Sequence, residues 1–223
     1  MQVQLRAGVI AVFFAVFCHS APAQDAPSKA APAREAMNIA PRATPADYQA
    51  HAQAGNITIA AEFTGHSIAT PEAVLSTESY VVVEVGLFGP PEARLKLSPD
   101  DFSLRINGKK TPVPAQPYAL VSKSAKDPEW EASVPSQSKS KSKTSLGGDG
   151  NADDPPPAPV HMPIELRRAM EQRILKASLP EGERVLPEAG LIFFEHGGKV
   201  DNIRSIELIY TGAAGKATLE LQP

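Results

Sequence analysis

Tyr80-Val81-Val82-Val83-Glu84-Val85-Gly86-Leu87-Phe88 is the stretch on which the fold turns. Val81, Val83, Val85 and Leu87 recur at period two and share one face of an extended segment. The other face carries Tyr80, Val82, Glu84 and Phe88, so it is only partly polar. A strand that is apolar on both sides belongs in the middle of a sheet, where both faces are covered. Gly89-Pro90-Pro91 ends it, because proline has no N–H to give to a ladder.

Outward from this strand the same alternation returns. Upstream, Ile57, Ile59, Ala61 and Phe63 alternate with Thr58, Ala60 and Glu62, which predicts a half-buried strand over 57–63. Residues 64–78, with Gly65 and Pro71, are expected to be a loop. Downstream, Phe102, Leu104 and Ile106 alternate with Ser103 and Arg105 and run into Asn107-Gly108. Asn-Gly between extended segments signals a type I′ hairpin turn, since both central residues need positive φ. It is expected to join strands at 102–107 and 109–114, with Pro112, Pro114 and Pro117 confining the second to an edge. Three further strands are expected at 191–196, 203–210 and 216–221, joined through glycine-bearing loops. With 79–88 this makes about seven short strands, and seven antiparallel strands in ~100 residues suit an immunoglobulin-like β-sandwich. The chain is therefore expected to be mainly β, a single sandwich domain over 55–223.

That domain is interrupted at 122–183. Lys/Ser-rich, Gly-rich, acidic and poly-Pro stretches follow one another there, and such composition cannot bury enough apolar area to offset its ordering entropy, so disorder is expected over about 133–160. Residues 163–177 read as the one clear helix, with Pro163 at its first position. Leu166, Met170, Ile174 and Ala177 form one apolar stripe. The stripe needs cover, so Leu166, Met170 and Ile174 either dock on the sandwich or are the contact residues for a partner.

The amino terminus reads as an address. Arg6 precedes an apolar run from Val9 to Phe17, too short to span a ~30 Å bilayer core as a helix, and Ala21-Pro22-Ala23 offers a small-x-small cleavage site. Residues 1–23 are therefore expected to be a signal peptide. The bulky Phe17 before Cys18 argues against a lipidated cysteine, and cleavage before Gln24 leaves no cysteine at all, which suits an oxidising compartment. Residues 24–54, rich in Ala, Pro and short polar residues without a sustained period, are expected to be a disordered tether.

The order YVVVEV (80–85), SPDDFSLRINGKK (98–110), LPEGE (179–183), LIFFEH (191–196), IELIY (206–210) and ATLEL (217–221) resembles a class of exported bacterial immunoglobulin-like domains of unknown function. The matching residues are Phe102, Asn107, Gly108, Lys109, Gly182, Phe194, Glu195, Leu208, Tyr210 and Leu221, over about 79–114 and 180–221. The resemblance implies a secreted or envelope-anchored module and brings no catalytic residue. The insertion departs from it, and the Cys…Trp…Cys core of true immunoglobulin domains is missing: the one Trp is Trp130.

The search for chemistry excludes most classes. The chain has no GxSxG, HExxH, GxxxxGK[ST] or GxGxxG motif, so no cofactor is expected. Ser136…Lys139, Ser138…Lys141 and Ser140…Lys143 match S-x-x-K, but they lie in low-complexity sequence and not at the start of a rigid helix. His51, His66, His161 and His196 are scattered; the one metal guess is that His66 and His196 meet at a loop end. Asp100-Asp101 reads as part of a Ser98-Pro99-Asp100-Asp101 turn, and Arg105, Lys109 and Lys110 as a basic hairpin tip that blunts an edge. Asn56-Ile57-Thr58 is a glycosylation sequon only where the source glycosylates. A formal net charge of −3 argues against nucleic acid as a partner.

The expected function is an exported, periplasmic or secreted, non-catalytic module that binds a protein or envelope component. Two alternatives stand beside it: an assembly factor that pairs an edge strand with a client, and a hydrolase of envelope polymer that would need Glu84, Asp101 and Glu195 to converge. The address is checked first. Intact-mass analysis of protein from the cell envelope should give a chain beginning at Gln24 without lipid; a diacylglyceryl adduct on Cys18 would overturn it.

Overall fold

The computed structural model describes residues 39–133 and 162–223. The expected leader (1–23), most of the tether (24–38) and the low-complexity part of the insertion (134–161) lie outside them. In chain order the strands are β1 (Ala50–Ala54), β2 (Ile57–Gly65), β3 (Ser67–Ala69), β4 (Val74–Thr77), β5 (Tyr80–Phe88), β6 (Arg94–Leu97), β7 (Phe102–Ile106), β8 (Val113–Gln116), β9 (Ala125–Lys126), β10 (Gly182–Val185), β11 (Glu188–Glu195), β12 (Ile206–Gly212) and β13 (Gly215–Leu221). The helices are α1 (Tyr118–Val121), α2 (Pro128–Ser133) and α3 (Ile164–Ala177), with short 3₁₀ turns at Pro45–Asp47, Pro99–Asp101 and Val200–Asn202. No described helix is long and apolar enough to cross a membrane.

Each of the seven expected strands is present, at shifted boundaries, yet the sandwich is not. Eight strands form one antiparallel sheet in the order β1-β2-β5-β11-β8-β7-β12-β13. Its two ends come back toward each other: Gln49 Nε2 donates to the Gln222 carbonyl at 3.0 Å, and Gly55 lies against the Ala214 carbonyl so closely that a side chain would collide with it. The sheet is thus nearly a barrel. Two features of the chain turn two leaves into one sheet. The first is β1, expected to be part of the tether. Gly55-Asn56 closes it onto β2 as a two-residue hairpin, Ala54 opposite Ile57, with Gly55 at φ 60° as such a turn requires. The second is β8, which is not an edge. Val113 and Pro114 pair with β7 while Ala115 and Gln116 pair with β11. Four residues thereby stitch the two leaves together without any residue having to serve a full ladder on both sides. The Asn107-Gly108 turn forms with both φ positive (53° and 65°), but Lys109–Pro112 stay out of the ladder and the second strand starts only at Val113.

Inside the sheet lies one core, built from alternate residues: Val81, Val83, Val85 and Leu87 of β5, Ile192 and Phe194 of β11, and Leu208 and Tyr210 of β12 among them. The opposite faces of β5 and β11 give Val82, Leu191 and Phe193 to a second, outer core. Two things cover it. One is the small sheet β3-β4-β9, with Ile68 and Leu75 buried; the 64–78 stretch expected to be a loop supplies two of its strands. The other is α3. Met170 (2% exposed), Ile174 (0%) and Ala177 (0%) are buried there, while Leu166 is half-buried. The stripe therefore packs on the chain's own sheet, and Met170 and Ile174 offer no surface to a partner. An isolated helix of this length is marginal in water; burying each large apolar side chain contributes ~1.5–3 kcal/mol, which makes the helix stable where it docks. Pro163 takes the cap position and not the first helical one.

The described part of the 122–183 insertion is ordered by short pairings. β9 joins β4, β10 joins β6, and the Asp127 carboxylate caps α2 by accepting from the Glu129 and Trp130 amides at 3.0 and 3.2 Å. At its far end α3 delivers the chain through the wall. Ser178 Oγ donates to the Ile174 carbonyl at 2.7 Å, Ser178 forms a parallel bridge with Leu191, and the Leu179 amide donates to the Leu191 carbonyl at 2.9 Å. Leu179 then enters the inner core. Gly190 makes room for it: any side chain there would strike the Leu179 backbone.

Met170→Glu buries an unpaired carboxylate in the outer core and should cost on the order of 3 kcal/mol in denaturant unfolding. Ile164→Glu, at a position 49% exposed at the start of the same helix, should stay within about 0.5 kcal/mol. Equal effects would show that the helix does not dock through this stripe.

Candidate functional site

The residues singled out by sequence are brought into structural roles one after another. Glu84 stands directly opposite Glu62 across the β2–β5 ladder, a placement that repels. Arg42 resolves it. Its guanidinium pairs with Glu62, donates to both Glu84 oxygens at 3.3 and 3.1 Å, and lies 4.5 Å from the centroid of the Tyr48 ring. The Tyr48 ring in turn lies over Gly86, where a side chain would not fit. The two carboxylates raise the Arg42 pKa although burial opposes them, and burial raises that of the Tyr48 phenol.

Asp101 sits elsewhere, with the Tyr210 hydroxyl, over Gly212; burial and then Asp100 push its carboxyl up. Glu195 is exposed at the end of β11. The three carboxylates the hydrolase alternative needs do not converge. Asp100 and Asp101 close the expected turn, the Ser98 hydroxyl accepting from the Asp100 amide at 3.3 Å. Arg105 is drawn out of the basic tip into a cross-strand pair with Glu207 at 2.6 Å, leaving Lys109 and Lys110 exposed. Eight of the ten residues that carried the family resemblance are packing or turn positions: Phe102, Phe194, Leu208, Tyr210 and Leu221 are buried, and Asn107, Gly108 and Gly182 have positive φ; Lys109 and Glu195 are exposed.

His66 and His196 do meet, their rings stacked with centroids 6.5 Å apart. They are not a chelate. His66 Nδ1 lies 2.6 Å from the Tyr80 carbonyl and Nε2 lies 3.0 Å from that of Gly198. Both ring nitrogens of His66 thus face backbone carbonyls and are not turned toward His196 or a shared metal position. His196 Nε2 is shielded from solvent without a hydrogen-bond partner. No group of three His, Cys, Asp or Glu that could hold a metal occurs among the described residues. His51 is exposed on β1 and Asn56 is exposed in the β1–β2 turn; His161 and the three S-x-x-K matches lie outside the described residues.

The feature that sequence reasoning missed is a groove of about 480 Å³ beside β11. Two segments share one edge of that strand: β8 pairs with Phe193 and Phe194, and Ser178 bridges Leu191. Each is followed within two residues by a proline, Pro117 or Pro180, which lacks the N–H to extend its ladder. The segments part, and the groove is the space left between them. Leu179, Leu191, Ile192 and Phe193 line its depth. Ile192 belongs to the inner core, Leu191 and Phe193 to the outer one. A cavity lined by residues of both faces lies at that strand's edge, a slot in the sheet beside it. Its rim carries Gln116, Gln172, Lys176, Glu181 and Arg184, with Leu175 beside them, 39% exposed. The only local signals for it are the two ladder-breaking prolines, which lie 63 positions apart.

Burial, then His66 and Lys109, hold the His196 pKa below its ordinary value of 6.5. A base whose folded pKa is depressed favours folding while neutral, so this contribution is complete above about pH 6.5 and is lost as pH falls below it. His196→Phe keeps an aromatic ring against His66 and removes the titration. Unfolding free energy should fall less between pH 7 and pH 5 in the variant than in the parent; identical slopes would mean that the half-buried ring does not titrate with folding.

No family model, no curated protein and no solved structure matches this chain.

Proposed function

We propose that the chain is an exported, non-catalytic binding module of the cell envelope that holds its ligand in the slot beside β11. The slot carries this reading. Its volume of about 480 Å³ falls within the range of small-molecule sites, and it has their composition, an apolar depth with a few polar groups at the mouth. The leader-like residues 1–23 support export. The titratable groups that suggested chemistry support the non-catalytic part, because Glu84, Arg105 and His66 are each tied into a structural pair or carbonyl clamp. The assembly-factor alternative has less support, since the end strands β1 and β13, though not paired in a ladder, lie close to each other.

Filling the slot tests the proposal. Gln172 and Leu175 are exposed at its mouth, so Gln172→Trp with Leu175→Trp should leave the melting temperature within a few degrees of the parent. Protein purified from the envelope should carry a co-purifying molecule, detected by native mass spectrometry, that the filled variant lacks. A filled variant that retains every bound species would overturn the assignment of the slot as the binding site.

A further inference from the structure

Resting on the slot as the binding site, we infer that its ligand is a single-chain fatty carboxylate, with the acyl chain laid along the apolar floor beside β11 and the acid held at the mouth by Lys176 and Arg184. The depth of the slot sets the tail. Leu179, Leu191, Ile192 and Phe193, each 3% exposed or less, form its closed floor, and none can offset a charge or an unpaired polar group laid against them. The volume sets its size. At ~30 Å³ per water-sized unit, roughly the volume of a methylene, about 480 Å³ has room for one acyl chain and not for the two of a bilayer lipid.

The mouth sets the head. Lys176 and Arg184 are exposed there, and neither has an ion-pair partner among the described residues. Gln116 and Gln172 add amide donors, and Glu181 is the single opposing charge on the rim, so the mouth favours an anion. Arg184 can grip a carboxylate with two parallel N–H donors. Lys176, in the last turn of α3, also complements the helix dipole; ligand charge preference, and not stability, is therefore the quantity to read.

The full chain from Gln24 is loaded with a dansyl-labelled undecanoate probe, which laurate, dodecanol and dodecyltrimethylammonium then displace, each below its micelle concentration. Laurate should displace it at least about tenfold more tightly than the other two, the return of one charge-assisted hydrogen bond. Vesicles of phosphatidylglycerol should not displace it. Lys176→Glu with Arg184→Glu should reverse the preference toward dodecyltrimethylammonium, at a melting temperature a few degrees lower because the new carboxylate opposes the helix dipole, and Gln172→Trp with Leu175→Trp should weaken all three. Equal affinity for the three amphiphiles, no change on charge reversal, or displacement by the vesicles would overturn the fatty carboxylate. If probe binding is absent but the filled variant still loses a co-purified molecule, the ligand class falls and the slot stands as the site. If the filled variant binds probe and co-purified molecule as the parent does, both fall.

Discussion

β5 is apolar on both faces, and most of the architecture follows from having to cover each of them. Curling the eight-stranded sheet buries Val81, Val83, Val85 and Leu87 inside. That leaves Val82, with Leu191 and Phe193 of the neighbouring β11, facing outward, where an uncovered patch would invite association. α3 and the β3-β4-β9 sheet answer this need. The slot follows as well, because a helix laid across the outside of β11 must hand the chain on, and the hand-over at Ser178–Leu179 takes a length of strand edge that β8 would otherwise fill.

Strong periodicity was legible and weak pairing was not. Where five or more residues alternate, as in 57–63, 80–88 and 216–221, the strands lie close to where the pattern puts them. β3, β4, β6, β9 and β10 are two to four residues long, too short for a period to declare itself. β1, with the sequence AHAQA, lacks the β-branched and aromatic residues that mark strands; it pairs because Gly55-Asn56 folds it onto β2. That single dipeptide separates seven strands from eight. β8 shows the converse. Its prolines are real ladder breakers, but a strand that changes partner halfway never asks any one proline for two ladders.

The candidate chemistry was legible residue by residue and misleading as a set. Glu84 looked available because its partner, Arg42, lies in a stretch without pattern, 42 positions away. His66 and His196 were correctly paired by their positions beside loops, but the ring nitrogens of His66 could be placed only once the carbonyls of Tyr80 and Gly198 were in view. The slot has no sequence signature, since it is made by the divergence of two segments and not by the residues of either.

The crossing at Leu179 has a consequence for how the protein comes apart. The last turn of α3 lies on the outer core, and two residues past Ala177 the chain is in the inner core, fixed by the Leu191 carbonyl and by the space that Gly190 leaves. The helix cannot swing off the sheet as a separate flap without drawing Leu179 out of the interior and opening the wall. Outer layer and barrel are thereby joined into one cooperative unit, and amide protons near the carboxyl end of the helix exchange through the opening of that whole unit, while those at its exposed start can fray alone.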